Sequence, residues 1–179
     1  MSTKTLMTVE QLEQLPEDGN TYELDEGELV AKSRHAVKHD RVKMRVVERL
    51  IDHKRLRGGE VYCETGFILT QDPETFRKPD VSFFPKESVA KLGRADVLES
   101  PDLCIEVVSS ETATELDRKI RQYFDTGARA VLVLYPEPET VHVFTGPKST
   151  RILAGDDVLN LPDLLPGFSL PVRTFFRDG

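Results

Sequence analysis

Asp80, Glu106 and Lys119 are the residues whose types and settings could do chemistry together. Asp80 follows Pro79 and leads the apolar run Val81 to Phe84, sharing a face with Ser82 in an extended chain. Glu106 interrupts the apolar run Leu103 to Val108, where it shares a face with Cys104 and Val108. A carboxylate in an apolar strand is costly to bury without a partner. If the two strands are neighbours, both acids converge on one cation. Mg²⁺ takes such hard oxygen ligands, often only one or two carboxylates with waters and phosphate oxygens completing the shell, and Mn²⁺ shares the preference. Lys119 stands three residues after Leu116 and four before Tyr123, at the border of a helical apolar face. Its stem can lie along apolar surface and carry the ammonium toward the acids. There it would orient water or offset charge developing on a phosphate, while the metal activates the water.

Each of these residues also has a plainer reading. An aspartate after proline suits a turn, and a lysine beside an apolar helix face often only flanks it. Glu106 has the stronger functional case, because nothing local explains it. Glu23, on a strand, and His39, at the first turn of a helix, are secondary candidates for the same neighbourhood. His35 lies four residues before His39, but carboxylates explain the chemistry without an imidazole pair. Glu64 and Ser109 read as local structure or as support behind the site residues, and Asp117 as an acid serving its helix terminus.

The elements that must position these groups follow from periodicity. Thr8 with Gln11 forms a capping-box pattern for a short helix ending near Leu15-Pro16. Tyr22 to Val30 alternates around Gly27 and predicts a hairpin. Val42, Val46, Val47, Leu50 and Ile51 recur at helical spacing and predict a helix from about 37 to 54, with His39 on its inward face and Gly58-Gly59 ending it. Glu60 to Thr70 reads as one strand, Pro79 to Phe84 as its return, and Leu103 to Val108 as a strand buried on both faces. A charged connection, Pro85 to Ser100, carries a short helix near Glu87 to Leu92. The next helix begins at Thr114 with Asp117 as its acidic partner and stops at Gly127. Strands at Ala130 to Tyr135 and Thr140 to Phe144 follow. The apolar, proline-containing tail around Leu161 to Phe168 predicts an extended strap. The helix between Val108 and Ala130 makes the strands it joins parallel, whereas the preceding three form an antiparallel meander. The fold class is α/β (α+β), a mixed sheet with helices on it.

Composition bounds the rest. The 179 residues suit one domain able to bury its own core. Hydrophobic residues make up 39% and charged residues 31%, as in a soluble globular protein. No apolar run is long enough for a membrane helix, and the N-terminus lacks a signal-peptide core, so a cytoplasmic protein is expected. Cys63 and Cys104 read as small buried hydrophobes in a reducing compartment. The net charge of -7 does not advertise a nucleic-acid binder, yet ten Lys and Arg against three acids between Lys32 and Arg57 leave that stretch at +7. Such a patch can meet phosphates or merely solvate a helix face.

Read in order, several motifs carry a resemblance. They are Tyr22-Glu23-Leu24 with Gly27-Glu28-Leu29, His39, Arg77-Lys78-Pro79-Asp80-Val81-Ser82, Pro101-Asp102-Leu103 before Glu106-Val107-Val108-Ser109, Asp117 and Lys119, and the closing Leu164-Leu165-Pro166-Gly167-Phe168. This series, spanning nearly the whole chain, resembles the Uma family of restriction-endonuclease-like proteins within the PD-(D/E)XK nuclease superfamily. The resemblance implies one nuclease-like domain over 1–179, with an N-terminal helix and hairpin (1–33), a core (37–135) of order helix-strand-strand-strand-helix-strand, and a C-terminal strand and strap (136–179). It implies a Mg²⁺- or Mn²⁺-dependent endonuclease acting on DNA, with Asp80, Glu106 and Lys119 catalytic. Asp80, Glu106 and the Val107 backbone carbonyl would hold the metal. A homodimer is expected from the apolar strap and the need to cut two strands. One departure matters: the superfamily lysine two residues after the second acid is here Val108, so Lys119 must take its place. The alternative is a nuclease-fold protein that only binds nucleic acid or a protein partner.

Overall fold

The first helix, α1 (Val9–Glu13), starts in the computed structural model at Thr8, whose hydroxyl and backbone exchange hydrogen bonds with Gln11 as a capping box. The structure describes residues 6–32, 36–92 and 99–177. Strands β1 (Thr21–Asp25) and β2 (Glu28–Lys32) form the expected hairpin, paired from Thr21 with Lys32 to Asp25 with Glu28. Its two turn residues, Glu26 and Gly27, have φ of 51° and 80°, the left-handed pair that suits the twist of flanking strands. Helix α2 (Val37–Arg57) runs three residues beyond the expected end and stops at Gly58. Its buried face is His39, Val42, Val46, Val47, Leu50 and His53.

The stretch expected as one strand, Glu60 to Thr70, is two: β3 (Glu60–Cys63) and β4 (Phe67–Gln71), in different sheets. The chain bends at Glu64, with φ of 50°. It then passes the Phe76 ring at Gly66, where a Cβ would stand 2.0 Å from the ring. Apolar alternation continues through this break, so periodicity alone does not reveal it. A further short strand, β5 (Glu74–Arg77), returns beside β4, and the chain then enters β6 (Val81–Phe84). A single 3₁₀ turn, Val89–Lys91, stands where a short helix was expected, and the rest of that connection, 93–98, lies outside the described residues.

β7 (Leu103–Val107) leads to α3 (Ala113–Asp125), which is capped by Thr112 with Glu115 rather than by Thr114 with Asp117. Asp117 is exposed and pairs with Arg121 one turn on, at 2.7 Å. β8 (Ala130–Tyr135), β9 (Thr140–Gly146) and β10 (Ser149–Ala154) complete a six-stranded sheet of order β10-β9-β8-β7-β6-β3. Within it β7 and β8 are parallel and the other pairs antiparallel, as the connections predict. The second sheet has order β2-β1-β5-β4. The tail forms a small hairpin, β11 (Val158–Leu161) and β12 (Leu165–Pro171), then a 3₁₀ turn, Val172–Phe175.

Two apolar layers sandwich the larger sheet. On one side α2 and the tail pack Val46, Leu50, Leu159, Leu165 and Phe168 against Val81, Phe83, Ile105 and Val107. On the other, Leu116, Ile120 and Tyr123 of α3 meet Cys104, Val131 and Val133. The apolar strap is thus consumed by the protomer's own core, so the expected homodimer gains no face from it. Cys104 is buried as expected, but Cys63 is exposed, because β3 is the edge strand of its sheet. No helix among the described residues is long and apolar enough to cross a membrane.

Candidate active site

Asp80 immediately precedes β6, and Glu106 lies on β7, its antiparallel neighbour. The register of Val81 with Ile105 sets the two acids side by side. Both are buried, at 1% and 2% exposure. Asp80 is fully engaged. Its Oδ1 accepts from Lys32 Nζ at 3.1 Å, and its Oδ2 accepts the Val107 N–H at 2.8 Å and lies 3.2 Å from His39 Nε2. Burial disfavours its charge, but His39, Lys32 and the Val107 amide outweigh that and hold the carboxyl well below the usual range. His39 responds in kind: burial lowers its pKa, and the Asp80 carboxylate lifts it above the ordinary imidazole value. The contact the structure gives Val107 is through its N–H.

Glu106 is the opposite case. Oε1 accepts from the Tyr123 hydroxyl at 2.6 Å, while Oε2 is buried without a hydrogen-bond partner. Burial raises its carboxyl to about 7; Lys119 opposes the shift and Asp80 adds to it. An orphaned carboxylate oxygen in a core is rare and asks for an explanation.

Lys119 reaches this place. α3 docks by Leu116, Ile120 and Tyr123, and the same face carries the Lys119 stem inward until the side chain is 7% exposed. Its Nζ stands 3.6 Å from Glu106 Oε2 and 3.3 Å from Glu23 Oε2. Burial lowers its pKa, and Glu106 with Glu23 more than reverses the effect, so the ammonium is held.

The secondary candidates are drawn in as well. Glu23, fully buried on β1, accepts the Lys78 amide at 2.9 Å and Arg77 Nη1 at 3.2 Å. Burial raises its pKa, and Lys119, Lys32 and Arg77 together pull it below the usual value. His35 lies outside the described residues. Lys43 of α2 donates to Glu64 at 2.6 Å, and the Ser109 amide donates to Glu111 in the turn before α3.

Lys32 is not among the sequence candidates, and Arg77 enters there only within the motif Arg77 to Ser82. A signal existed for Lys32. The hairpin register places Glu23 opposite Val30 and Thr21 opposite Lys32, so Glu23 and Lys32 share one face. Arg77 was hidden because β5 itself was missed. Its guanidinium also donates to Gln122 Oε1 and Asp25 Oδ1, both at 2.8 Å, which ties β1 to α3. Glu23, Lys32, Arg77 and Lys119 line an open cleft of about 390 Å³.

The donor set suits a hard divalent cation. Among the described residues no three His, Cys, Asp or Glu side chains converge into a closed metal cage. Asp80 and Glu106, whose Oε2 accepts no hydrogen bond, lie behind the Lys32 and Lys119 that line the cleft and fit the sparse protein shell of Mg²⁺.

A family model described as "Uma2: Putative restriction endonuclease" matches residues 9–173. The chain belongs to this family. The Uma2 chain is also similar in fold to a solved structure, described as a putative nuclease belonging to DUF820 from Anabaena variabilis. The two share 20% identity with a TM-score of 0.81, over 95% of this chain and 97% of that one. No curated protein matches this chain. The fold is therefore restriction-endonuclease-like.

Proposed function

We propose that this Uma2 protein is a metal-dependent endonuclease that hydrolyses DNA phosphodiester bonds. The observation that carries the reading is Lys119 Nζ standing 3.6 Å from Glu106 Oε2, which accepts no hydrogen bond, beside Asp80. Asp80 and Glu106 would hold Mg²⁺ or Mn²⁺, which supplies Lewis-acid polarisation of a phosphate oxygen and a more acidic water. Tyr123 fixes the Glu106 carboxylate by its hydroxyl, and His39 with the Val107 amide fixes Asp80. Lys119 offers its ammonium to the cleft, where it orients a nucleophilic water or offsets charge gathering on the phosphate. Glu23 holds Lys119 in that position. Lys32, Arg77, Arg118 and Lys119 line the cleft against Glu23, Asp25, Glu28, Glu111 and Glu115, so a bound divalent cation would tip it toward an anionic substrate.

Supercoiled plasmid incubated with Mg²⁺ or Mn²⁺ tests this. Glu106→Ala and Lys119→Ala are each expected to nick at least about 100-fold more slowly than wild type. Equal nicking by all three proteins would overturn the mechanism. The second reading, a nuclease-fold binder without activity, rests on Val108 at the position of the superfamily lysine. Salt-sensitive, metal-independent DNA binding with no nicking would support it.

A further inference from the structure

Lys32 occupies an unusual position for a lysine. Its side chain is 6% exposed, and its Nζ donates to the Lys78 carbonyl at 2.8 Å and to Asp80 Oδ1 at 3.1 Å. Asp80 Oδ2 is already taken by His39 and the Val107 amide. A cation therefore cannot gain Asp80 Oδ1 without competing with this ammonium. The competition is electrostatic as well as steric. Arg77 and Lys119 pair with the neighbouring Glu23, Lys119 also stands by Glu106, and His39 contacts Asp80, so a divalent ion entering among them meets like-charge repulsion. Lys32 also has somewhere to go. It lines the cleft with Glu23, Arg77, Thr114 and Lys119, and its stem is flexible.

We propose that Lys32 is a built-in counter-cation of the site, neutralising Asp80 until a divalent ion takes that carboxylate, then turning its ammonium into the cleft to meet a phosphate oxygen. The inference rests on reading Asp80 and Glu106 as the cation-holding pair. It separates two effects that Lys119 would combine: removing the Lys32 charge strengthens metal binding while weakening phosphate binding.

Direct titration with Mn²⁺, followed by the electron paramagnetic resonance of free Mn²⁺, reads the first effect without any cleavage. Lys32→Met is expected to bind Mn²⁺ about tenfold more tightly than wild type, and Lys32→Arg no more tightly. Lys32→Gln, which retains a donor for the Lys78 carbonyl, should follow Lys32→Met and serves if the latter fails to fold. In wild type, the lysine ¹³Cε signal that Lys32→Arg removes should shift when Mg²⁺ is added. Unchanged or weaker Mn²⁺ affinity in both neutral variants, or a Lys32 signal indifferent to Mg²⁺ that the protein demonstrably binds, overturns the inference and leaves the nuclease reading standing. Failure of every protein, wild type included, to bind Mn²⁺ overturns the metal reading and this inference with it.

Discussion

Glu106 is buried where its charge is least welcome, and that conflict is measurable without any substrate. With the folded carboxyl raised from 4.5 to about 7, the native protein keeps a proton that the unfolded chain has released between those values. Metal-free stability therefore falls as pH rises from about 4.5 to about 7 and levels off above that. The shift corresponds to about 3 kcal/mol. Glu106→Gln keeps an acceptor for the Tyr123 hydroxyl but cannot ionise. In EDTA at pH 8 it should be more stable than wild type by about 2–3 kcal/mol in urea unfolding, with the gap closing near pH 4. Parallel pH profiles for the two proteins would remove buried ionisation as the cause. The same variant should not nick plasmid, the exchange of stability for function expected at a site built for a ligand. Asp80 and Glu106 stood out as candidates because one leads an apolar run and the other interrupts one, and the family resemblance picks out the same two. Lys32 and Arg77 were not legible in that way, since Asp80 meets Lys32 from the other sheet and the β1–β5 pairing that sets Arg77 beside Glu23 joins distant segments.

At the level of elements, the candidate lysine is aimed by a helix that the second sheet holds in place. Arg77, at the end of β5, joins Glu23 and Asp25 of β1 to Gln122 of α3, and Gln122 lies one turn beyond Lys119. Removing one partner from a buried ionic network strands the others. Arg77→Met should therefore cost about 3–5 kcal/mol in denaturant unfolding and slow nicking as well. A variant as stable as wild type would deny the network its structural role. α2, α3 and the strands β6, β7 and β8 could be read from sequence because each has an uninterrupted period. The break between β3 and β4 could not, since apolar residues alternate straight through it and the cause is distant: Gly66 leaves room for the Phe76 ring. Gly66→Ala should therefore destabilise the fold by about 1–3 kcal/mol in the same assay, because its methyl would overlap the Phe76 ring.

The whole molecule joins two sheets and two helices at one point. The N-terminal hairpin, expected as a segment outside the core, supplies Glu23 and Lys32 and so is part of the site itself. Charge is divided on the same scale. The chain carries -7 overall, yet its 32–57 stretch is strongly basic. α2 turns His39 into the site, and from its first turns Lys38, Arg41 and Arg45 line a separate groove of about 460 Å³ with Phe176 and Arg177. The Lys38–Glu137 pair at 3.0 Å is exposed on both sides, and such pairs contribute little and yield readily to a competing anion. The groove includes Val37 and Lys38, next to His39 in the chain, so a backbone docked there would approach the carboxylates from the α2 side. Phosphate contacts of this kind announce themselves in salt dependence, because each releases condensed counterions. In the cleavage-silent Glu106→Gln background, duplex affinity measured by fluorescence anisotropy should fall steeply with salt. Adding Lys38→Glu with Arg41→Glu should flatten the log–log slope by about 2. An unchanged slope would mean that DNA reaches the carboxylates from another side, with the basic face of α2 serving solvation alone.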